Sequence, residues 1–140
     1  MTPRLLANVT VVAVEGRGLL IEGPPGSGKS SLALALIDRG AVLVGDDGVE
    51  LENRAGRLWA LPPPNIAGML EVRGVGIVTL PAAPAPLALV LALGDAADRL
   101  PEPRTHEIEG VAIPSLAFSA DGPASALRAE WALRLHGLPL

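Results

Sequence analysis

The sequence of 140 residues contains no cysteine, which excludes a disulfide framework, thiolate metal sites and thiol redox chemistry. Aromatic residues are scarce: there is no tyrosine, and Trp59, Phe118 and Trp131 are the three that occur. Cations are outnumbered, 11 Lys and Arg against 15 Asp and Glu, giving a formal net charge of −4. A nucleic-acid surface needs a basic stripe and usually stacking platforms, so nucleic acid is not an expected partner. Long hydrophobic runs are missing as well. The longest, Leu87 to Leu93, is bracketed by Pro86 and Gly94 and falls far below the roughly 18 residues of a membrane span. Near the start, the apolar run after Arg4 is interrupted by Asn8 and Thr10, and no small-residue cleavage site follows cleanly, against a secretory signal. With neither a span nor a signal in view, the expected location is the cytoplasm, with no membrane partner. Lysine is the last scarcity: ten of the eleven basic residues are arginine, and the single lysine is Lys29.

What is present is apolar and heavily punctuated. Hydrophobic residues make up 49% of the chain, beside 16 Gly and 14 Pro. A chain of this length buries roughly 68–70% of its unfolded surface, enough for one domain over residues 1–140 without staples, and the Gly and Pro predict many short elements and tight turns. The β-branched run at 9–14, a Gly-containing turn at 15–18 and the apolar run 19–22 read as a hairpin. Residues 29–39 read as a helix with Leu32, Ala35 and Leu36 on one face and Gly40 just beyond its end. Short strands follow at 41–44, 49–52 and 57–61, then at 70–73 and 74–80, with a buried-looking strand at 87–93 and a shorter pair around 106–114. From Pro123 a C-terminal helix is expected, with Leu127, Trp131 and Leu135 at i, i+4 spacing and a Glu130 to Arg134 pair. The expected class is α/β, with a mixed, strand-rich sheet and little of a regular βαβ array.

The strongest chemical signal is GPPGSGKS at 23–30, that is Gly23, Pro24, Pro25, Gly26, Ser27, Gly28, Lys29 and Ser30. It satisfies the P-loop pattern G-x-x-x-x-G-K-[ST] and lies between an expected strand and an expected helix, where the pattern requires. The glycines let backbone N–H groups turn inward around phosphate oxygens, and the helix N-terminus adds partial positive charge. Lys29 would reach the β- and γ-phosphates, and the Ser30 hydroxyl could ligate Mg²⁺. A glycine-rich turn without a ligand is the competing reading.

Asp46 and Asp47 follow at the end of the next strand. If the strand continues, their carboxylates point to different sides. One could hold Mg²⁺ through water while the other faces an incoming hydroxyl as base, although Asp-Asp-Gly is also an ordinary turn sequence. In EVRGVGIV at 71–78, Glu71 and Arg73 would share a strand face. They could serve metal and phosphate, or form a structural ion pair on a solvated strand. His106 and His136 stand alone, without partners at ligand spacing, and read as surface residues.

These features together resemble the catalytic domain of the HPr kinase/phosphorylase family, bacterial enzymes that phosphorylate a serine of the phosphocarrier protein HPr and reverse the reaction by phosphorolysis. The resemblance runs from about residue 8 to about residue 114. It is carried by the P-loop with its following helix end, by L-V-x-D-D-x-V-E at 43–50 and by E-V-R-G-V-G-I at 71–77, in the family's order. It implies a phosphoenolpyruvate-carboxykinase-like nucleotide-binding fold, ring-shaped hexamers, ATP and Mg²⁺ as cofactors, and phosphate or pyrophosphate in the reverse direction. It further implies that Lys29 contacts phosphate, that Ser30 and Glu71 hold Mg²⁺, and that Asp47 is the base of the kinase reaction and the acid of its reverse. Arg99 looks like the family's further catalytic arginine, with a surface arginine near a loop as the alternative.

Three departures from the family are visible. Asn8 stands where the family usually has a histidine close to the base aspartate, which removes a group able to tune its protonation. The chain looks like a short, catalytic-domain-only form. Residues 115–123 carry no Arg or Lys, where relatives have a basic segment used to dock HPr. Docking of HPr by that surface is thus not expected, and the leading expectation, carried by the resemblance, is an ATP- and Mg²⁺-dependent serine kinase acting on an HPr-like carrier. Its rivals are a non-catalytic nucleotide-binding regulatory protein and a small-molecule kinase of the adenylate-kinase type, which would need a lid and extra length.

Overall fold

A computed structural model describes residues 3–94 and 102–140 of the chain. In order, the elements are β1 (Arg4–Ala7), β2 (Thr10–Val14), β3 (Arg17–Glu22), α1 (Lys29–Asp38), β4 (Val42–Gly45), β5 (Gly48–Arg54), β6 (Arg57–Leu61), β7 (Met69–Val72), β8 (Gly76–Thr79), β9 (Ala85–Leu93), β10 (Arg104–Ile108), β11 (Val111–Phe118) and α2 (Ser125–His136). The expected strand-rich mixed sheet is present: one path runs β1-β5-β6-β9-β3-β2-β4, with β10 and β11 joined to it through β9, and β7 and β8 form a separate two-stranded sheet. β1 pairs antiparallel with β5; its short apolar run next to Asn8 gave no strand signal in sequence.

β9 is the centre of this arrangement. It runs parallel to β3 and to β11 and meets the end of β6 in antiparallel register. A strand covered on both faces reads as a continuous apolar run, which is why 87–93 is the least polar stretch of the chain. From Leu89 on, side chains alternate across it, and a register shift against β3 between Gly18 and Leu19 resets the pattern before that point: Leu89, Leu91 and Leu93 join Val12, Leu19, Ile21 and the helices in one core, while Leu87 and Val90 join Val11, Leu20, Val49, Leu51, Leu58 and Ile113 in another. The second core takes residues from β5, β6 and β11 as well as from β2, β3 and β9, so the sheet curls around it.

The C-terminal helix forms as expected but presents the opposite face. Leu127, Trp131 and Leu135 are 44%, 63% and 77% exposed, and the buried side is Ala126, Ala129, Ala132 and Leu133. Size decides here: α2 packs against α1, and small alanines permit a close approach that Trp131 would prevent. The Glu130 to Arg134 pair is also replaced. Glu130, buried, accepts a hydrogen bond from Arg39 Nε at 3.0 Å, while Arg134 lies 3.6 Å from Glu15 and over the Trp131 ring. Removing one partner of a buried charge-assisted bond leaves the other uncompensated. Arg39→Ala is therefore expected to lower the unfolding free energy by about 1–3 kcal/mol, read from urea unfolding.

Candidate functional site

The glycine-rich segment 23–30 connects β3 to α1, and its backbone needs glycine. Gly23 has φ 153°, and a Cβ there would sit 2.7 Å from the Leu93 carbonyl oxygen, so the loop leaves the sheet pressed against the end of β9. Gly28, at φ 100°, caps α1 without a side-chain hydrogen bond, and the first turn of α1 carries no acidic residue. The free N–H donors and positive end of the helix dipole therefore remain uncompensated by the protein, which suits an anion. Ser27 N–H bonds to the Pro24 carbonyl at 3.1 Å. The buried Ser27 Oγ has no hydrogen-bond partner among the described residues. Lys29 Nζ donates to the carbonyls of Gly23 at 2.7 Å and Pro24 at 3.2 Å, using two of the three donors of an ammonium.

The carboxylate of Asp46 ties this loop to the sheet. Its Oδ1 accepts from Ser30 Oγ at 2.7 Å and from Thr10 Oγ1 at 2.8 Å, and its Oδ2 accepts from Glu71 N–H at 3.3 Å. The chain turns at Asp46 and Asp47 instead of continuing as a strand, so their divergence comes from the turn and not from a pleat. Asp46 is buried, whereas Asp47 is exposed with φ 62°. Asp47 accepts through its carbonyl the backbone N–H of Asn8 at 3.1 Å. The sequence-level expectation that position 8 neighbours Asp47 thus holds in the backbone.

Two clefts meet at Glu71. One, of about 380 Å³, is lined by Gly26, Gly28, Lys29, Ser30, Ser31, Glu71 and Arg73. The other, of about 180 Å³, is lined by Asp46, Asp47, Ile66, Met69, Glu71 and Ile77. Arg73 lies beyond the end of β7, in the turn closed by Val75 N–H on the Val72 carbonyl at 2.9 Å. It therefore does not share a strand face with Glu71, although both reach the first cleft. Glu71 and Arg73 form no ion pair among the described residues.

The structure thus gathers Gly26, Gly28, Lys29, Ser30, Asp46, Asp47 and Glu71, with Gly23 and Ser27 at the root of the loop and Pro24 and Pro25 exposed on it. Arg99 lies outside the described residues. His106 is exposed, 3.9 Å from Glu22, and His136 sits at the end of α2; neither lines these clefts. Sequence reasoning missed Ser31, Thr10 and the apolar trio Ile66, Met69 and Ile77. Of these, Ser31 alone had a local signal, its place directly after Ser30.

The donors present fit a nucleotide with a hard divalent cation. The larger cleft combines an uncapped helix start, an ammonium and a guanidinium with the Ser30 hydroxyl and the Glu71 carboxylate. Mg²⁺ is usually held by one or two carboxylates together with phosphates and water, and oxygen donors of that kind are what Ser30, Asp46 and Glu71 offer.

A model of the HPr Serine kinase C-terminal domain matches residues 1–83, more than half of the chain. The chain is 44% identical over 81 residues to HPr kinase/phosphorylase of Clostridium tetani, covering 58% of this chain and 27% of that relative. It is 45% identical over 82 residues to HPr kinase/phosphorylase of Clostridium novyi, covering 59% and 27%. The matched part spans about a quarter of the length of these curated relatives. Among solved structures, the Hpr(Ser) kinase/phosphatase from Coxiella burnetii superposes with a TM-score of 0.82 at 28% identity, over 95% of each chain.

Proposed function

The chain belongs to the HPr serine kinase C-terminal domain family, and on that premise we propose that it is an ATP- and Mg²⁺-dependent serine kinase acting on an HPr-like phosphocarrier protein. In the reverse direction an oxygen of inorganic phosphate would bond to the phosphoserine phosphorus as its bond to the serine oxygen breaks, giving pyrophosphate. The observation that carries this reading is the Asp46 carboxylate, which binds Ser30 and the Glu71 backbone at once and so joins a phosphate-type cleft to a second cleft containing Asp47. The fold proposed is the phosphoenolpyruvate-carboxykinase-like P-loop fold, with hexamer assembly in the cytoplasm, as the family resemblance implies.

In this reading Lys29, the uncapped N–H groups of α1 and Arg73 bind the phosphate chain and neutralise its charge. Ser30 and Glu71, with Asp46 behind them, would hold Mg²⁺, which would supply positive charge against the phosphates. Asp47 accepts the proton of the serine hydroxyl as that oxygen bonds to the γ-phosphorus and the bond to the β-phosphate oxygen breaks. In the reverse direction the Asp47 carboxylic acid returns the proton to the serine oxygen. Phosphoryl transfer needs little covalent work from the protein, so positioning and charge neutralisation supply most of the acceleration.

The test is mass spectrometry of an HPr-type carrier incubated with this protein and Mg-ATP. A phosphoserine on the carrier is expected. Nucleotide binding without transfer would favour the second reading, a nucleotide-binding regulatory protein, for which Asn8 beside Asp47 is the supporting observation.

The apolar wall beside Asp47 gives a sharper expectation. Ile77 is 66% exposed, and with Ile66 and Met69 it lines the Asp47 cleft, so it would bury against the acceptor protein. Burial of such a side chain contributes about 1.5–3 kcal/mol. Ile77→Asp is therefore expected to raise the KM for the carrier by about tenfold or more while ATP affinity, measured by calorimetry, stays within twofold.

A further inference from the structure

Thr10 lies on β2, away from the glycine-rich loop, in a run otherwise made of Val and Ala. Its residue is 1% exposed, so its hydroxyl has no access to bulk water and must find a partner inside the protein. That partner is Asp46 Oδ1, at 2.8 Å, the same oxygen that accepts from Ser30 Oγ at 2.7 Å. The antiparallel pairing of Val11 with Gly45 sets Thr10 next to Asp46. Valine would match threonine in shape and suit this buried strand better by β-propensity and transfer energy. The hydroxyl is therefore spent on Asp46.

We infer that Thr10 is a positioning residue that fixes the Asp46 carboxylate, and through it the Ser30 hydroxyl, in the orientation needed to bind a divalent cation with nucleotide. The inference rests on the nucleotide-binding reading given above. Asp46 is held at three points, by Thr10, Ser30 and the Glu71 backbone. Of these, the Thr10 hydroxyl and the Glu71 N–H belong to strands and would hold the carboxylate while Ser30, still donating its hydrogen to Asp46, offers its oxygen lone pair to the metal. Without the Thr10 hydroxyl, the carboxylate plane is free to rotate about the Cβ–Cγ bond, and Ser30 loses its fixed acceptor. Outer hydrogen bonds of this kind commonly affect metal affinity by about 10–100-fold.

The experiment titrates Mn²⁺, followed by electron paramagnetic resonance, into the full chain with adenylyl imidodiphosphate, for the wild type, Thr10→Val and Thr10→Ser. Nucleotide binding in EDTA and the urea unfolding midpoint are measured alongside. Thr10→Val is expected to weaken Mn²⁺ binding about tenfold, with nucleotide binding in EDTA within twofold of wild type. Thr10→Ser, which keeps the hydroxyl and loses a methyl, is expected to bind Mn²⁺ as the wild type does even if its unfolding midpoint falls. Wild-type Mn²⁺ affinity in Thr10→Val would overturn the inference, as would equal weakening in Thr10→Ser. Absence of Mn²⁺-nucleotide binding by the wild type itself would overturn the nucleotide-binding reading together with it.

Discussion

Asp47→Asn is expected to slow phosphoryl transfer by about 10²–10⁴-fold, the range over which a positioned general base contributes, while nucleotide affinity changes by no more than a few fold. Asparagine is the substitution to use because of the backbone. Asp47 has φ 62°, a left-handed conformation that Asn and Asp adopt far more readily than other residues with a Cβ. Asn keeps the shape, the turn and the contact with Asn8, and removes only the ability to accept a proton. Alanine at the same place would add backbone strain and confuse the result. The measurement is single-turnover formation of phosphoserine on the carrier, beside urea unfolding. Transfer at the wild-type rate from a well-folded Asp47→Asn protein would remove Asp47 from the chemistry and leave the hydroxyl proton to solvent or phosphate.

Lys29→Ala is expected to lower transfer by about 10²–10³-fold, the loss typical of deleting one preorganised group that meets developing charge, and to weaken nucleotide binding as well. The effect falls on ground state and transition state together, because the ammonium faces the phosphates before and during the reaction. Lys29→Arg should not rescue it. A guanidinium is planar and presents a rigid fork, whereas the ammonium is a compact charge with three donors, and here two of those meet the Gly23 and Pro24 carbonyls at short range. A chain that uses arginine for every other cation is a favourable place to test that difference. Calorimetric titration of ATP with phosphoserine assay checks both halves; full activity in Lys29→Arg would show that charge alone suffices.

The parts of this site that were legible in the sequence are those whose logic is local. The loop at 23–30 declares itself within eight residues, and its strand and helix flanks are marked by β-branched and periodic runs. The hairpin turns at 15–16 and 55–56 are marked by Gly16 and Gly56, which take positive φ without strain, although Glu15 and Ala55 before them take it as well. Contacts made across the sheet left no such mark. Thr10, Ser30, Asp46 and Glu71 come from four separate segments, and only the pairing of β2 with β4 and the seating of β7 against α1 bring them together. The second helix was misread for a different reason. Hydrophobicity selected the Leu127, Trp131 and Leu135 stripe, whereas the packing distance to α1 selected alanine, and periodicity alone does not weigh size.

The placement of β9 has a consequence for how the chain reaches its native state. Residues 19–22 of the loop-bearing strand β3 pair with residues 89–92 of β9, and those in turn pair with β11 near residue 116. Contacts that join such distant positions must close long loops before they contribute, which slows folding. A ribosome that has released only the first 83 residues, the stretch the family model covers, has delivered every glycine of the loop and both aspartates. The edge of β3 nonetheless remains without its neighbour. Folding of the nucleotide cleft during synthesis is thereby delayed until β9, residues 85–93, has emerged, and the bare β3 edge is the segment most exposed to mispairing until then.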